Sequence, residues 1–218
     1  EGSQVFCALA GAKPGMTVVD YCAGGGGKTL GLAAAMDLAD GGEGRLVASD
    51  VVQKRLNNIR PRLERAGVEA ELVLIGQNGG GLEELNDQAD LVFVDAPCSG
   101  SGTWRRRPED AWRLTAEEVE RLHALQVRIL GQAARLVKPG GRLVYVTCSM
   151  LSRENEASLA AFDASHGDFR PIALSDLIPR GDAALAALID KAPGHALRLS
   201  PASTGTDGFF FAAYERAA

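Results

Sequence analysis

The fold is decided by a stretch near the start of the sequence, Thr17-Val18-Val19-Asp20-Tyr21-Cys22-Ala23-Gly24-Gly25-Gly26-Gly27-Lys28-Thr29. Its apolar start predicts a buried strand, and its run of glycines predicts a tight turn into a helix. Glycines at such a turn let a ligand approach the backbone closely, and they leave the amides of the helix N-terminus free to bind it. The stretch therefore predicts an α/β fold with a ligand site beyond its first strand.

Strand and helix patterns alternate along the rest of the sequence, which is typical of a mostly parallel sheet with helices on both faces. The predicted strands are residues 17–20, 45–50, 71–75, 90–95, 142–147 and 208–214. The predicted helices are residues 28–38, 53–65, 115–137 and 153–165. Pro61 is expected to kink or split the second helix, and Thr115 with Glu118 forms a capping box for the third. Residues 167–207 carry only weak patterns.

One domain over residues 1–218 fits the composition, since 46% of the residues are hydrophobic and can form a substantial core. The net charge of −5 does not favour a nucleic-acid partner, so any RNA surface has to be a local patch. We find neither a signal peptide nor the run of about 18 apolar residues that a membrane helix needs. We therefore expect a monomeric, cytoplasmic protein without membrane contacts. Because few residues precede the first strand, we also expect the chain to be a fragment.

Asp50 indicates what kind of ligand the glycine turn is expected to bind. Asp50 ends the second predicted strand, at about the position from which an acidic residue accepts hydrogen bonds from a ribose diol. The alternative is that Asp50 caps the helix that starts at Gln53. The glycine stretch is not a phosphate-binding loop, because no glycine stands five residues before Gly27, and it is not a complete dinucleotide motif. These features alone leave adenosine-type cofactors in general open.

The cysteines of the sequence divide into two kinds. None of them forms the close-spaced pairs of a structural zinc site, so no metal is expected. Cys7 and Cys22 are interpreted as buried, inert thiols, although Cys22 also stands where it can line the cofactor loop. The other two follow predicted strands, in the strings Asp95-Ala96-Pro97-Cys98-Ser99-Gly100 and Thr147-Cys148-Ser149. A disulfide between Cys98 and Cys148 is the alternative to two free thiols, and a reducing compartment disfavours it.

Strand order brings these features to one place. In a doubly wound sheet of this kind the fourth strand lies between the first and the fifth, and neighbouring strands are about 4.8 Å apart. Ligands bind beyond the C-terminal ends of the strands, near the switch in strand order. We therefore expect the glycine loop, Asp95, Cys98 and Cys148 to face one crevice.

Two thiols beside a carboxylate indicate covalent catalysis on a weak electrophile. C5 of cytosine is not nucleophilic as it stands, but a thiolate that adds to C6 makes C5 enamine-like and able to take a methyl group. The addition needs the ring nitrogen N3 protonated or hydrogen-bonded, and Asp95 is the candidate for that contact. The C5 proton and the thiol must then leave, and a second thiol can assist this release. The attacking thiol needs a pKa below the usual value of about 8.5.

The same strings resemble a known family. Cys22-Ala23-Gly24-Gly25-Gly26-Gly27-Lys28-Thr29, the Pro-Cys string extended to Thr103, Arg106-Arg107-Pro108, Thr147-Cys148-Ser149 and Asp207-Gly208-Phe209-Phe210-Phe211-Ala212 are similar to the NOL1/NOP2/Sun (RsmB-like) RNA cytosine-5 methyltransferases. The resemblance runs from residue 1 to residue 214. It implies a Rossmann-like class I fold with a mostly parallel seven-stranded sheet, S-adenosylmethionine as cofactor, and ribosomal or transfer RNA as substrate.

The resemblance also implies roles for single residues. Cys148 is the expected nucleophile, Cys98 assists product release, and Asp95 contacts both base and cofactor. The cofactor contacts map to Cys22, Ala23, Gly24, Gly25, Gly26, Gly27, Lys28, Asp50 and Asp95. The family usually has an aspartate after the third strand, where this sequence has Gly76-Gln77-Asn78, and Gln77 is the expected substitute in the adenine contact. Family members normally carry N-terminal RNA-binding segments, which agrees with the expectation of a fragment.

A basic run adjoins the Pro-Cys string and predicts an RNA surface. Trp104, Arg105, Arg106 and Arg107 combine an aromatic ring with three positive charges, which suits base stacking and phosphate contacts. The alternative is a solvated charged face, as most charge runs are. Trp112 is expected to pack against the protein.

Three alternative functions share features of this sequence. A DNA cytosine-5 enzyme puts its nucleophile in the Pro-Cys loop and has no need of Cys148. An amino-group methyltransferase normally shows Asn/Asp-Pro-Pro-aromatic after the fourth strand, unlike Asp95-Ala96-Pro97-Cys98. A third alternative is a non-catalytic RNA-binding or assembly module that retains the fold. Both cysteines argue against that module, and only Gln77 points towards it.

Overall fold

A computed structural model describes residues 2–179, 181–190 and 194–218, so residue 1, where the family resemblance begins, lies outside the described residues. The described part of the chain forms one sheet, in which the strands are ordered β3-β2-β1-β4-β5-β8-β6 and β7 pairs with β8. The strands are β1 (Thr17–Asp20), β2 (Arg45–Asp50), β3 (Glu71–Leu74), β4 (Ala89–Asp95), β5 (Val137–Thr147), β6 (Phe169–Pro171), β7 (Ala196–Leu199) and β8 (Phe209–Arg216).

The first five strands pair in parallel, and β8 runs antiparallel to β5. A parallel sheet is buried on both faces, and the apolar run of β4 meets this requirement because Val92, Phe93 and Val94 are fully buried. The order places β4 between β1 and β5. The predicted mostly parallel, Rossmann-like α/β fold is confirmed.

Helices cover both faces of this sheet. Neighbouring strand residues point to opposite faces, and accordingly Val18 belongs to one buried cluster and Val19 to the other. Phe6 and Leu32 pack in the first cluster, and Phe162 packs in the second. The helices are α1 (Gly2–Ala10), α2 (Gly27–Ala35), α3 (Gln53–Ala66), α4 (Pro108–Arg113), α5 (Ala116–Ala134), α6 (Glu156–Asp163), α7 (Ala183–Ile189) and α8 (Pro201–Thr204). Short 3-10 turns lie at Leu38–Asp40, Glu83–Leu85, Ser101–Thr103 and Leu174–Leu177.

The sheet has eight described strands where seven are expected. β6 pairs with residues 214–216 of β8, and β7 pairs with residues 209–212 of the same strand. Since β5 occupies the other edge of β8, the two short strands lie end to end and share the seventh position across the sheet. The weak pattern of residues 167–207 hid both of them, because each is only three or four residues long.

The helices agree with the predictions in some details and differ in others. α3 runs through Pro61 in one piece, because Leu56, Ile59 and Leu63 bury its apolar stripe on both sides of the proline. The loop after β4 contains a short helix, α4, that was not predicted. Thr115 caps α5 as predicted, by accepting a hydrogen bond from the amide of Glu118 at 3.2 Å. Among the described helices, none combines the length and the apolar composition that a membrane crossing requires.

Candidate active site

The C-terminal ends of three neighbouring strands form the candidate site. Asp20 at the end of β1 lies opposite Phe93 of β4, and Asp95 at the end of β4 lies opposite Val146 of β5. The loops that follow these strands therefore leave the sheet at one edge, and they carry the glycine turn and the two cysteines of interest. The structure brings these segments together, in the arrangement that strand order predicted.

The two thiols are in contact. The Sγ atoms of Cys98 and Cys148 lie 3.4 Å apart, and both cysteines are free. The hydrogen bond from Cys98 lowers the pKa of Cys148, whereas the same contact, together with burial, raises the pKa of Cys98 well above its ordinary value. Of the two thiols, Cys148 therefore ionises more readily than Cys98.

The other cysteines are of a different kind. Burial raises the pKa of Cys7 to about 12, and burial raises the pKa of Cys22 well above its ordinary value. Neither group supplies a thiolate near neutral pH. Cys22 nevertheless lines the cavity beside the glycine turn, whereas Cys7 packs under α2 with its thiol towards the carbonyl of Lys28 at 3.8 Å.

An ion pair joins the glycine turn to the end of β4. Lys28 Nζ donates to Asp95 Oδ2 at 2.5 Å. Burial raises the pKa of Asp95, and the ammonium of Lys28 opposes that rise. Burial alone would lower the pKa of Lys28, but Asp95 raises it above its ordinary value. The pair places one fixed positive charge and one carboxylate between the cofactor loop and the thiols.

Asp50 holds two segments at once. Its Oδ2 accepts from the amide of Gly24 at 3.0 Å, and its Oδ1 accepts from the amide of Val52 at 2.8 Å, just before α3 begins. The N-cap of α3 is Val52 and no side chain caps the first turn of this helix, so the alternative that Asp50 caps it is wrong. The carboxylate instead ties the glycine turn to the segment before α3, and it lines the adjacent cavity.

A cavity of about 450 Å³ lies between α5 and the segments that follow β1, β2 and β3. It brings together Cys22, Asp50 and Gln77 of the predicted cofactor set, and Pro97 and Gln132 complete part of its wall. The main-chain carbonyl of Gln77 accepts from Gln132 Nε2 at 3.2 Å, which ties this wall to α5. A larger cavity of about 720 Å³ lies at the opposite edge of the sheet, beside Lys13, Asp90 and Arg142, and it includes none of the predicted site residues.

Two further buried carboxylates, neither of them predicted from the sequence, belong to the site. Asp20 accepts from Thr29 Oγ1 at 2.7 Å through Oδ2, while its Oδ1 is buried with no hydrogen-bond partner among the described residues. Burial raises the pKa of Asp20 to about 7. Glu154 is fully buried behind the two cysteine loops. The strand-end position of Asp20 was a usable signal, whereas no motif in the sequence marked Glu154.

The basic run is only partly available to a ligand. Arg105 and Arg106 both form ion pairs with Asp207, at 3.1 and 2.6 Å. Their hydrogen bonds lower the pKa of Asp207 although desolvation raises it. Arg107 is exposed, and Trp104 is half-buried with an indole nitrogen that has no partner in the described part of the chain.

The prediction that Trp112 packs against the protein is wrong. Trp112 is 90% exposed, because α4 is a six-residue helix on the loop after β4 and buries none of its residues. An aromatic ring therefore projects into solvent in the segment that follows the basic run.

Fold and site together define a class of protein. A parallel sheet in this strand order, with an antiparallel strand beside β5 and a glycine turn after β1, is the Rossmann-like class I fold of S-adenosylmethionine-dependent methyltransferases. Solved structures agree. NSun6 from Pyrococcus horikoshii, determined with SFG, superimposes with a TM-score of 0.80 at 25% identity, over 99% of this chain and 52% of that one.

Sequence comparison identifies the family within this class. The model for 16S rRNA methyltransferases RsmB/F matches residues 8–215, and the chain belongs to that family. Ribosomal RNA small subunit methyltransferase B of Sodalis glossinidius is 38% identical over 213 residues, which are 97% of this chain and 45% of the relative. The probable enzyme of the same name from Bacillus subtilis is 33% identical over 214 residues, covering 96% of this chain and 45% of the relative. The chain thus spans about half the length of these curated relatives.

Proposed function

We propose that this chain transfers a methyl group from S-adenosylmethionine to C5 of a cytosine in RNA. The observation that carries the proposal is the contact between Cys98 and Cys148, with its opposite effects on the two pKa values. Covalent chemistry on a pyrimidine needs one sulfur that attacks as a thiolate and a way to expel that sulfur afterwards. The pair supplies both groups at the ends of neighbouring strands.

The polar atoms of the candidate cofactor site suit the polar groups of S-adenosylmethionine. The unpartnered Oδ1 of Asp20 offers a buried acceptor beside the glycine turn, which suits an ammonium group. Asp50 and Gln77 line the same cavity, so Asp50 would accept hydrogen bonds from a ribose diol and Gln77 would contact the adenine. The residues that would hold the cofactor are Cys22, Ala23, Gly24, Gly25, Gly26, Gly27, Lys28, Asp50, Gln77 and Asp95. When bound, the cofactor supplies an activated methyl group on a sulfonium.

The protein side of the reaction then follows from the thiols and Asp95. Cys148 attacks C6 of cytosine and forms a carbon–sulfur bond, while Asp95, whose pKa burial raises, shares a proton with the polar edge of the base. The addition makes C5 the nucleophile that takes the methyl group. The C5 proton then leaves to water and its bonding pair forms the C5–C6 double bond. The Cys148–C6 pair departs with the sulfur and the shared proton returns to Asp95, which restores the aromatic ring. Cys98, which stays protonated, assists the departure of Cys148 through the contact at 3.4 Å.

RNA binding is proposed for the segment from Trp104 to Trp112. The target base has to leave its stack to reach a thiol at a strand end, so neighbouring nucleotides need partners on the protein. Arg107 and Trp112 are exposed and offer a phosphate contact and a stacking surface. Trp104, Arg105 and Arg106 lie at the start of the same segment. The names of the relatives favour small-subunit ribosomal RNA as the substrate.

The second candidate is a non-catalytic RNA-binding or assembly module with the same fold. The observation that favours such a module is Gln77, which stands where the family usually has an aspartate. A binding module has no use for a thiol of lowered pKa or for the ion pair of Lys28 with Asp95. Incubation of the full-length protein with methyl-labelled cofactor and unmodified small-subunit ribosomal RNA tests both candidates. Incorporation that bisulfite sequencing assigns to one cytosine supports the enzyme, and RNA binding without incorporation supports the module.

A further inference from the structure

We propose that Glu154 is a positioning residue that sets the contact between Cys98 and Cys148 by holding the two cysteine loops on one carboxylate. Each cysteine is followed directly by a serine, Ser99 in one loop and Ser149 in the other. Both serine hydroxyls donate to the same oxygen, Oε2 of Glu154. The inference rests on the proposed function only in taking the two thiols as the reacting groups.

The other carboxylate oxygen strengthens the hold on the Pro-Cys loop. Oε1 of Glu154 accepts from the amide of Ser99 at 2.8 Å and from Gln126 Nε2 at 3.0 Å. Gln126 Nε2 also donates to the carbonyl of Pro97 at 2.9 Å. The residues on both sides of Cys98 are thus tied to Glu154, one of them through Gln126 on α5.

Donor and acceptor roles in this network are consistent throughout. Ser149 Oγ, which donates to Glu154, accepts from the amide of Leu151 at 3.1 Å. Ser101 Oγ accepts from the amide of Met150 at 2.8 Å, which leaves its own proton for Ser149 Oγ at 3.1 Å. Glu154 is fully buried and receives four donors, which is the arrangement in which a buried charge is tolerated. An uncharged acceptor of the same size cannot replace it, because a glutamine has only one oxygen.

A separate backbone link keeps the loops folded when the carboxylate is changed. The amide of Gly102 donates to the carbonyl of Cys148 at 2.9 Å, and the amide of Gly208 donates to the carbonyl of Gly102 at 2.8 Å. The first bond joins the backbones of the two loops, and the second ties the Pro-Cys loop to the segment before β8. Removal of the carboxylate is therefore expected to loosen the thiol contact within a folded site.

Glu154 can act on the thiols by positioning them or simply by its negative charge, and the two roles predict opposite changes in the pKa of Cys148 when Glu154 is neutralised. The charged or titratable groups that act on Cys148 are Cys98, Asp95 and Lys28, and Glu154 acts on Cys98 by raising its pKa. If Glu154 acted only as a nearby negative charge, its neutralisation would lower the thiol pKa values. If it sets the contact, its neutralisation weakens the hydrogen bond from Cys98, and the pKa of Cys148 rises.

The experiment measures thiol reactivity in the full-length protein without substrate. Iodoacetamide alkylation of Cys148 and Cys98 is followed by peptide mass spectrometry across pH 6 to 10, for wild type and Glu154→Gln. We expect the apparent pKa of Cys148 to rise by about one unit in the variant, which slows alkylation at pH 7 about tenfold. Glu120→Gln is the matched control, because Glu120 is an exposed carboxylate that pairs with the exposed Arg153. An unchanged or lowered pKa of Cys148 in folded Glu154→Gln would overturn the proposal.

A second pair of variants decides the question if Glu154→Gln does not fold. Ser99→Ala and Ser149→Ala each remove one hydroxyl from Oε2 and leave the negative charge in place. We expect each to slow alkylation of Cys148 at pH 7, and their double variant to slow it further; alkylation at the wild-type rate in all three overturns the proposal. The outcome does not depend on methyl transfer. A chain that never methylates RNA would still show the shift, so the two proposals fail separately.

Discussion

Lys28 Nζ lies 2.5 Å from Asp95 Oδ2, and this ion pair connects the glycine turn after β1 with the strand end that carries Cys98. The lysine side chain is 13% exposed and the aspartate side chain 31% exposed, so the pair is only partly hydrated. One contact thus links the segment proposed to hold the cofactor with the group proposed to hold the base.

Replacement of Lys28 tests this link. Lys28 lowers the pKa of Asp95 against the effect of burial, so Lys28→Met leaves burial unopposed and raises that pKa further. The pH dependence of kcat should therefore show the limb that Asp95→Asn removes, displaced to higher pH in Lys28→Met. Lys54→Met, at an exposed position of α3, is the control and should leave the limb where it is. A limb that stays in place or moves to lower pH in Lys28→Met contradicts the assigned coupling.

Asp20 gives a prediction about stability. Burial raises its pKa to about 7, whereas its ordinary value is 3.8, so the folded chain retains a proton that the unfolded chain loses as the pH rises between these values. Asp20 therefore makes folding less favourable as the pH rises through this window, by at most on the order of 4 kcal/mol. Asp20→Asn keeps an oxygen for Thr29 and removes the titration.

Urea unfolding of the cofactor-free protein at pH 5, 6, 7 and 8 measures this effect. The free energy of unfolding of Asp20→Asn should exceed that of wild type by a margin that grows with pH and levels off above pH 7. Cofactor affinity should fall in the same variant, because the buried acceptor is lost. A margin that is constant across the pH range would show that Asp20 does not titrate as described.

The strands of the central sheet were predictable because the signal for each strand lies in its own residues. β1 and β2 were predicted with the bounds that they have, since apolar runs that end in Asp20 and Asp50 have few alternative structures. The edge strands β6 and β7 were missed because they gain their structure from pairing with β8 rather than from their own residues. Tertiary pairing of this kind leaves no local signal.

The site was predictable to the same extent. Cys98 and Cys148 stand at strand ends, so strand order alone brought them to one crevice. Their opposite pKa shifts depend on a contact that spacing does not reveal, and in the sequence their roles rested on resemblance. The role of Glu154 could not be predicted from the sequence, because it depends on four hydrogen-bond donors that come from three separate segments of the chain.

Trp112 provides a test of the proposed RNA surface. Its side chain is 90% exposed, so Trp112→Ala should leave the fold and the cofactor affinity unchanged. A stacked base contributes about 1–3 kcal/mol, and we expect the Kd for RNA to rise by about 5-fold to 150-fold. Arg105→Ala with Arg106→Ala should weaken RNA binding less, because Asp207 already holds both side chains. Arg65→Ala on α3 serves as the control, and equal RNA affinity of Trp112→Ala and wild type would remove Trp112 from the surface.

The two thiols are assigned different steps: Cys148 attacks the base, and Cys98 assists its release. The most direct measurement is denaturing gel electrophoresis of the full-length protein after incubation with cofactor and labelled small-subunit ribosomal RNA. For Cys98→Ala we predict a covalent protein–RNA band that accumulates while turnover stops, and for Cys148→Ala neither a band nor methyl transfer. A Cys98→Ala variant that turns over normally without a band, or a Cys148→Ala variant that retains full activity, would contradict the account.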